Sequence, residues 1–118
     1  MRIKQKGIYH MTEQIQNELD AIVKTIADTG IASKIILFGS MARGEVTPDS
    51  DIDLCVLTPI TDRRPRDMKV ELRMAILDVQ KTPLDLLMYN QDSFNEHARR
   101  PTSFEHMIST QGRVLYER

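Results

Sequence analysis

Apolar and polar positions along the chain first indicate two long amphipathic helices. From Thr12 to Thr29 the apolar residues recur at helical spacing, at Ile15, Leu19, Ile22, Val23 and Ile26. Gly30 follows where a left-handed cap would end this helix. The same spacing recurs at Met68, Leu72, Ala75, Ile76 and Val79. We therefore predict a second helix that ends near Lys81, and each helix needs an apolar surface to pack against.

Short apolar runs between and after these helices predict strands. They are Ile35 to Phe38, Asp51 to Leu57, Leu84 to Met88, and a final edge strand at Val114 to Tyr116. Two short helices are expected before the last strand, because Ser93 with Glu96 and Thr102 with Glu105 have the spacing of capping boxes. The alternation of elements predicts an α/β domain, a small mixed sheet with helices packed on one face.

Composition limits the classes of protein that this chain can represent. We expect a flexible lead-in over residues 1–11 and a single domain over residues 12–118. The net charge of -1 gives no reason to expect direct nucleic-acid binding, and no apolar run has the roughly 20 residues needed to span a bilayer. The lone cysteine, Cys55, lies within an apolar run, which favours a buried thiol in a cytoplasmic protein.

Carboxylates within the predicted strands are the first candidate chemistry. Asp51 and Asp53 are two residues apart, so an extended chain directs both to the same face. Asp85 interrupts a later apolar run, where an ionised carboxylate is costly unless it is paired or bound to a cation. Oxygen-only ligands favour Mg²⁺, or Mn²⁺, and three carboxylates can hold two such ions for phosphoryl or nucleotidyl transfer. The alternative for the first pair is a loop cap.

The turn after the first predicted strand offers a matching phosphate site. Glycine at position 39 lets backbone N–H groups approach a phosphate closely, and the hydroxyl of Ser40 adds a donor. Taken alone, Gly39 and Ser40 would be an ordinary turn, and only their combination with the carboxylates favours the functional interpretation. Arg43 could contact a phosphate or could pair with Glu45 or Asp49.

These residues carry a family resemblance. Gly39-Ser40, ten residues, and then Asp51-Ile52-Asp53 resembles the signature of the nucleotidyltransferase superfamily that includes DNA polymerase β. The stretch GSMARGEVTPDSDIDLCV is similar to its minimal nucleotidyltransferase (MNT) branch. The resemblance implies the nucleotidyltransferase fold, metal binding by Asp51, Asp53 and Asp85, and phosphate binding by Gly39 and Ser40.

The resemblance also implies a partner. Only 33 residues follow Asp85, too few for the acceptor-binding domain that larger superfamily members carry. Minimal members are similar to the antitoxins of HEPN–MNT pairs, which implies transfer of AMP from ATP to a tyrosine of a HEPN-domain ribonuclease toxin. Two alternatives stay open: an antitoxin that binds its partner sterically with an idle nucleotide site, and the catalytic subunit of a two-component small-molecule nucleotidyltransferase. No residue indicates which nucleotide is used.

Overall fold

The computed structural model describes residues 12–118, so the predicted lead-in over residues 1–11 lies outside the described part. The elements in chain order are α1 (Glu13–Asp28), β1 (Lys34–Phe38), β2 (Ile52–Thr58), α2 (Pro65–Ala75), β3 (Leu84–Asn90), α3 (Gln91–Ala98), α4 (Phe104–Gln111) and β4 (Arg113–Glu117). No helix within this range has the length and apolar character needed to cross a membrane.

The four strands form one mixed sheet in the order β3-β2-β1-β4. Strand β1 pairs antiparallel with both β2 and β4, whereas β2 and β3 are parallel. The register places Phe38 opposite Asp53 and Asp53 beside Asp85. Strand β3 is an edge of the sheet, so residues of the neighbouring helix α2 can reach around it. The α/β class and the mixed sheet that the sequence predicted are confirmed.

Helices cover both faces of the sheet, so the prediction that they pack on one face is wrong. One cluster joins α1 and α2 to the strand residues Ile35, Leu37, Ile52, Leu54 and Val56. Alternate strand residues form a second cluster with Phe94 of α3 and Ile108 of α4, namely Ile36, Phe38, Cys55 and Leu57. Because successive strand residues point to opposite faces, apolar runs without alternation need cover on both sides. Helices α3 and α4 supply that second cover.

The first helix agrees with the sequence, but the second is shorter than predicted. The Thr12 hydroxyl caps α1 by accepting from the Ile15 N–H at 3.2 Å, and Gly30 has the left-handed φ of +76° expected of the cap. Helix α2 ends at Ala75 because Ile76 leaves helical geometry, with φ -94° and ψ 1°. Successive turns then carry the chain onward, and Ile76 stays buried in the core.

The two short helices exist, but their predicted capping boxes are wrong. The side chain of Asn90 caps α3 by accepting from the N–H groups of Asp92 and Ser93. The hydroxyl of Ser103 caps α4 by accepting from the His106 N–H at 3.0 Å. Each helix start has more than one residue whose side chain can cap, Asn90 and Ser93 for α3 and Thr102 and Ser103 for α4. The sequence pattern alone does not decide between them.

Candidate active site

A tight turn follows β1, as the glycine at its end predicted. Gly39 has a φ of +76°, and the Ser40 carbonyl accepts from the N–H groups of Arg43 and Glu45 at 3.1 and 2.9 Å. Met41 and Ala42 are buried in the core and hold the turn against the sheet. The Ser40 hydroxyl makes no hydrogen bond within residues 12–118, so it is free to donate to a ligand.

Gly39 lies directly against a carboxylate. A Cβ atom added at Gly39 would collide with Oδ2 of Asp53 and stand 3.1 Å from its Cγ. Antiparallel pairing explains this proximity, because Phe38 is opposite Asp53 and Gly39 is the next residue. Glycine is therefore required twice here, by the positive φ and by the close approach. The turn and the carboxylate form a single site.

Two carboxylates meet on adjacent parallel strands. Asp53 on β2 and Asp85 on β3 are register partners on the same sheet face, Asp53 half-buried and Asp85 exposed. Burial raises the pKa of Asp53, and the negative charges of Asp85 and Asp51, together with a hydrogen bond to Asp85, raise it further. The positive charge of Arg43 opposes this rise. A cation placed between the carboxylates would relieve their repulsion.

Asp51 lies one residue before β2, whereas the sequence predicted that the strand begins with it. It precedes β2 and is exposed, because the ladder with β1 ends at Asp53 and the chain before Ile52 still belongs to the turn. The Ile52 N–H donates instead to the carbonyl of Pro83 at 2.9 Å. Across residues 12–118, no three His, Cys, Asp or Glu side chains converge closely enough to hold a metal ion. Asp51 is therefore at the margin of the site, and a three-carboxylate cage would require it to turn inward.

The structure pairs Arg43 with a neighbouring carboxylate. Its Nε lies 2.7 Å from Oε1 of Glu45, and both side chains are about half exposed. Such surface pairs contribute about 1 kcal/mol or less, so a phosphate could displace the glutamate. The salt bridge that the sequence offered as one alternative is present, and phosphate contact stays a prediction.

A pocket of about 250 Å³ beside the carboxylates contains residues that the sequence did not single out. Besides Asp53 and Asp85 it is lined by Lys69, Arg73, Phe38, Leu86, Leu87 and Phe104. Lys69 and Arg73 are four residues apart on α2. This spacing alone does not connect them with the site, because only the strand order shows that β3, beside them, is the edge of the sheet. Phe104 of α4 is a large apolar side chain, yet 48% of its surface is exposed.

The carboxylate chemistry of the site suits a divalent cation, with Asp53 and Asp85 as the adjacent pair of donors. Asp53 and Asp85 are paired like charges, Asp51 adds a third nearby, and the described residues give none of the three a salt bridge. Carboxylate oxygens of this kind suit Mg²⁺ or Mn²⁺. A carboxylate cluster beneath a phosphate-type turn can position a nucleoside triphosphate. Residues 39–85 thus combine the two parts that nucleotidyl transfer requires.

Comparisons with known proteins point to the same chemistry. The model of the family described as "Polymerase beta, Nucleotidyltransferase" matches residues 20–118. A protein of Methanocaldococcus jannaschii named "Putative protein adenylyltransferase" is 32% identical over 87 residues, which cover 74% of this chain and 81% of that protein. A crystal structure titled as a "putative nucleotidyltransferase" from Sulfolobus solfataricus superposes with a TM-score of 0.57. It is 16% identical and covers 95% of this chain and 94% of the other, a likeness of fold.

Proposed function

The chain belongs to the polymerase β nucleotidyltransferase family and is a nucleotidyltransferase; from this premise we propose that it transfers AMP from ATP to a tyrosine of a partner protein. The partner in this proposal is a HEPN-type ribonuclease toxin, and the chain is its cytoplasmic antitoxin. The observation that carries the proposal is Gly39 packed on Asp53 with Asp85 alongside. The name of the archaeal relative supports a protein as the acceptor.

The residues of the site have distinct roles in this proposal. The N–H groups of the turn and the Ser40 hydroxyl hold and orient the triphosphate. Asp51, Asp53 and Asp85 would hold two Mg²⁺ ions, with Mn²⁺ as an alternative, and such ions supply positive charge that offsets the charge of the phosphates. Asp53 lies on β2 directly against Gly39, and in this proposal its carboxylate sets the position of the α-phosphorus.

The transfer itself is a single displacement at phosphorus. The acceptor hydroxyl oxygen forms a bond to the α-phosphorus, and the bond from that phosphorus to the oxygen bridging the β-phosphate breaks. Pyrophosphate leaves with the electron pair of the broken bond, and the hydroxyl proton passes to the exposed carboxylate of Asp85. In this proposal Arg43 leaves Glu45, its partner in the structure, and contacts a phosphate oxygen.

Mass spectrometry of the partner tests the proposal. Incubating the protein, Mg-ATP and the product of the neighbouring gene should add one or more adenylyl groups to that product. Asp53→Asn should abolish the transfer and leave the fold intact, whereas Asp62→Asn, an exposed aspartate in the β2–α2 connection, is the matched control. If the partner gains no mass while the protein is folded and binds Mg-ATP, protein adenylylation is refuted.

One observation favours the second candidate, an antitoxin that acts by steric contact. Val70 and Met74 of α2 and Leu77 in the turn after it are 59%, 65% and 62% exposed, and a partner protein could cover these apolar side chains. Neutralisation by an Asp51→Asn, Asp53→Asn double variant separates the two candidates. If that variant still inhibits the toxin and Met74→Lys does not, the antitoxin neutralises the toxin by contact and not by transfer of AMP.

A further inference from the structure

The pocket beside the carboxylates lies on the side from which an acceptor has to approach. In a displacement at phosphorus the attacking and leaving oxygens are roughly in line, on opposite sides of the phosphorus. The phosphate-binding turn follows β1, and the sheet then runs through Asp53 on β2 to Asp85 on β3. Neither Gly39 nor Ser40 lines the pocket, and most of its lining residues belong to β3 and α2. If the turn holds the leaving pyrophosphate, this pocket is left for the nucleophile.

The pocket continues into a groove along the outer edge of β3. A neighbouring depression of about 360 Å³ shares Lys69 and Leu87 with it and extends to Arg66, Met88 and Tyr89. The two depressions together are here called the β3-edge groove. No strand within residues 12–118 pairs with this edge of β3. The groove therefore leads from open surface to Asp85.

Basic side chains in the groove have no acidic partner. Arg66 and Lys69 form no salt bridge with any residue between 12 and 118, and Arg73 only donates to the carbonyl of Leu84 at 3.4 Å. By contrast, Arg63 and Arg64, just before the same helix, pair with Glu71 and Asp67 respectively. Three unpaired cations along one groove favour a ligand with negative charge.

Two aromatic rings line the same pocket as Lys69 and Arg73. Phe104 stands edge-on to Phe38, with ring centroids 5.9 Å apart and an interplanar angle of 86°. Phe38 is almost buried, whereas Phe104 keeps about half of its surface open. An exposed ring beside a catalytic carboxylate offers a planar aromatic side chain a contact that a serine or threonine cannot make.

We propose that the β3-edge groove is the acceptor subsite, and that it takes a tyrosine flanked by acidic residues in an extended segment of the partner. This inference rests on the proposed function, since it assigns the acceptor of the same reaction. Phe104 contacts the tyrosine ring and orients its hydroxyl toward Asp85. Lys69 and Arg73, with Arg66 farther along, bind the flanking carboxylates.

Binding of short labelled peptides tests the assignment without relying on turnover. We expect the full chain with Mg-ATP to bind Glu-Glu-Tyr-Glu-Glu and to reject Lys-Lys-Tyr-Lys-Lys in fluorescence anisotropy. Lys69→Glu with Arg73→Glu should weaken binding of the acidic peptide by roughly tenfold and reverse the preference. Arg63→Glu with Arg64→Glu makes the same change in charge outside the groove, and it should have little effect. Equal losses in the two double variants would overturn the proposal.

A double-mutant cycle tests the aromatic contact. Replacing tyrosine by serine in the acidic peptide should weaken its binding to the unmodified protein by about threefold to tenfold. The same replacement should have little effect on binding to the Phe104→Ala variant. Because Phe104→Ala alters no charge, this variant should bind Mg-ATP as tightly as the unmodified protein. A matching loss of Mg-ATP affinity would instead assign the pocket to the nucleotide base and overturn the inference. Adenylylation of the whole partner by a protein that binds no acidic peptide would refute only the acceptor subsite.

Discussion

Substituting Gly39 by alanine tests whether the turn has to lie directly on Asp53. The chain offers a matched control, because Gly30 has the same φ of +76° and, apart from its chain neighbours, no atom of residues 12–118 lies within 4 Å of a Cβ added there. Alanine in the left-handed region costs about 1 to 2 kcal/mol, and the restricted unfolded chain returns about 0.4 to 1 kcal/mol. Each variant should therefore lose about 1 kcal/mol of unfolding free energy, or about 4 °C in Tm.

The two variants should differ in activity far more than in stability. The methyl group of Gly39→Ala meets Oδ2 of Asp53, which has to move by roughly 1 Å to restore ordinary contact. A misplacement of that size at a reacting centre can cost about a hundredfold in rate. We expect Gly39→Ala to transfer AMP about a hundredfold more slowly than Gly30→Ala, measured with ATP labelled at the α-phosphate and checked by thermal unfolding.

Comparable transfer rates in the two alanine variants would refute this reasoning. That result would mean that the position of the Asp53 carboxylate relative to Gly39 does not limit transfer. A loss of stability much larger in Gly39→Ala than in Gly30→Ala would also contradict it, because the clash is with the end of the half-buried Asp53 side chain, which should rotate away at small cost.

Three further predictions concern charge and burial. Asp53→Asn should raise Tm in metal-free buffer, because it removes repulsion with neighbouring carboxylates, and added Mg²⁺ should raise the Tm of the unmodified protein but not of the variant. Burial opposes ionisation of Glu18, but hydrogen bonds from the loop before β3 outweigh it and lower its pKa below 4.5. Ionised Glu18 should therefore stabilise the fold fully above pH 4.5, and this contribution should be lost as the pH falls through the lowered pKa. Glu18→Gln should reduce the free energy of unfolding by about 1 kcal/mol at neutral pH and by little in acid, as measured by urea unfolding at each pH. Burial raises the pKa of the Cys55 thiol to about 12, so iodoacetamide should alkylate it at neutral pH only after unfolding, and labelling of the native protein would contradict the buried position.

Local patterns were sufficient for most elements because they report which residues are buried. Helical spacing located α1 to within one residue at each end, and apolar runs located all four strands. The same patterns do not report what a buried residue packs against. The run from Ile35 to Phe38 is apolar on both faces, a sign of cover on both sides, yet only the packing of α3 and α4 revealed that cover.

The sequence by itself determined the chemistry of this protein: a glycine turn, a pair of aspartates at fixed spacing, and a third aspartate in a later strand. These are local patterns, and their residue types and spacing are enough to identify the family. Tertiary structure decided the geometry, because strand register joins residues that are far apart in the chain. It set Gly39 on Asp53, placed Asp85 beside Asp53 and left Asp51 at the margin. It also brought residues of α2 and α4 beside β3, where we propose that the acceptor binds.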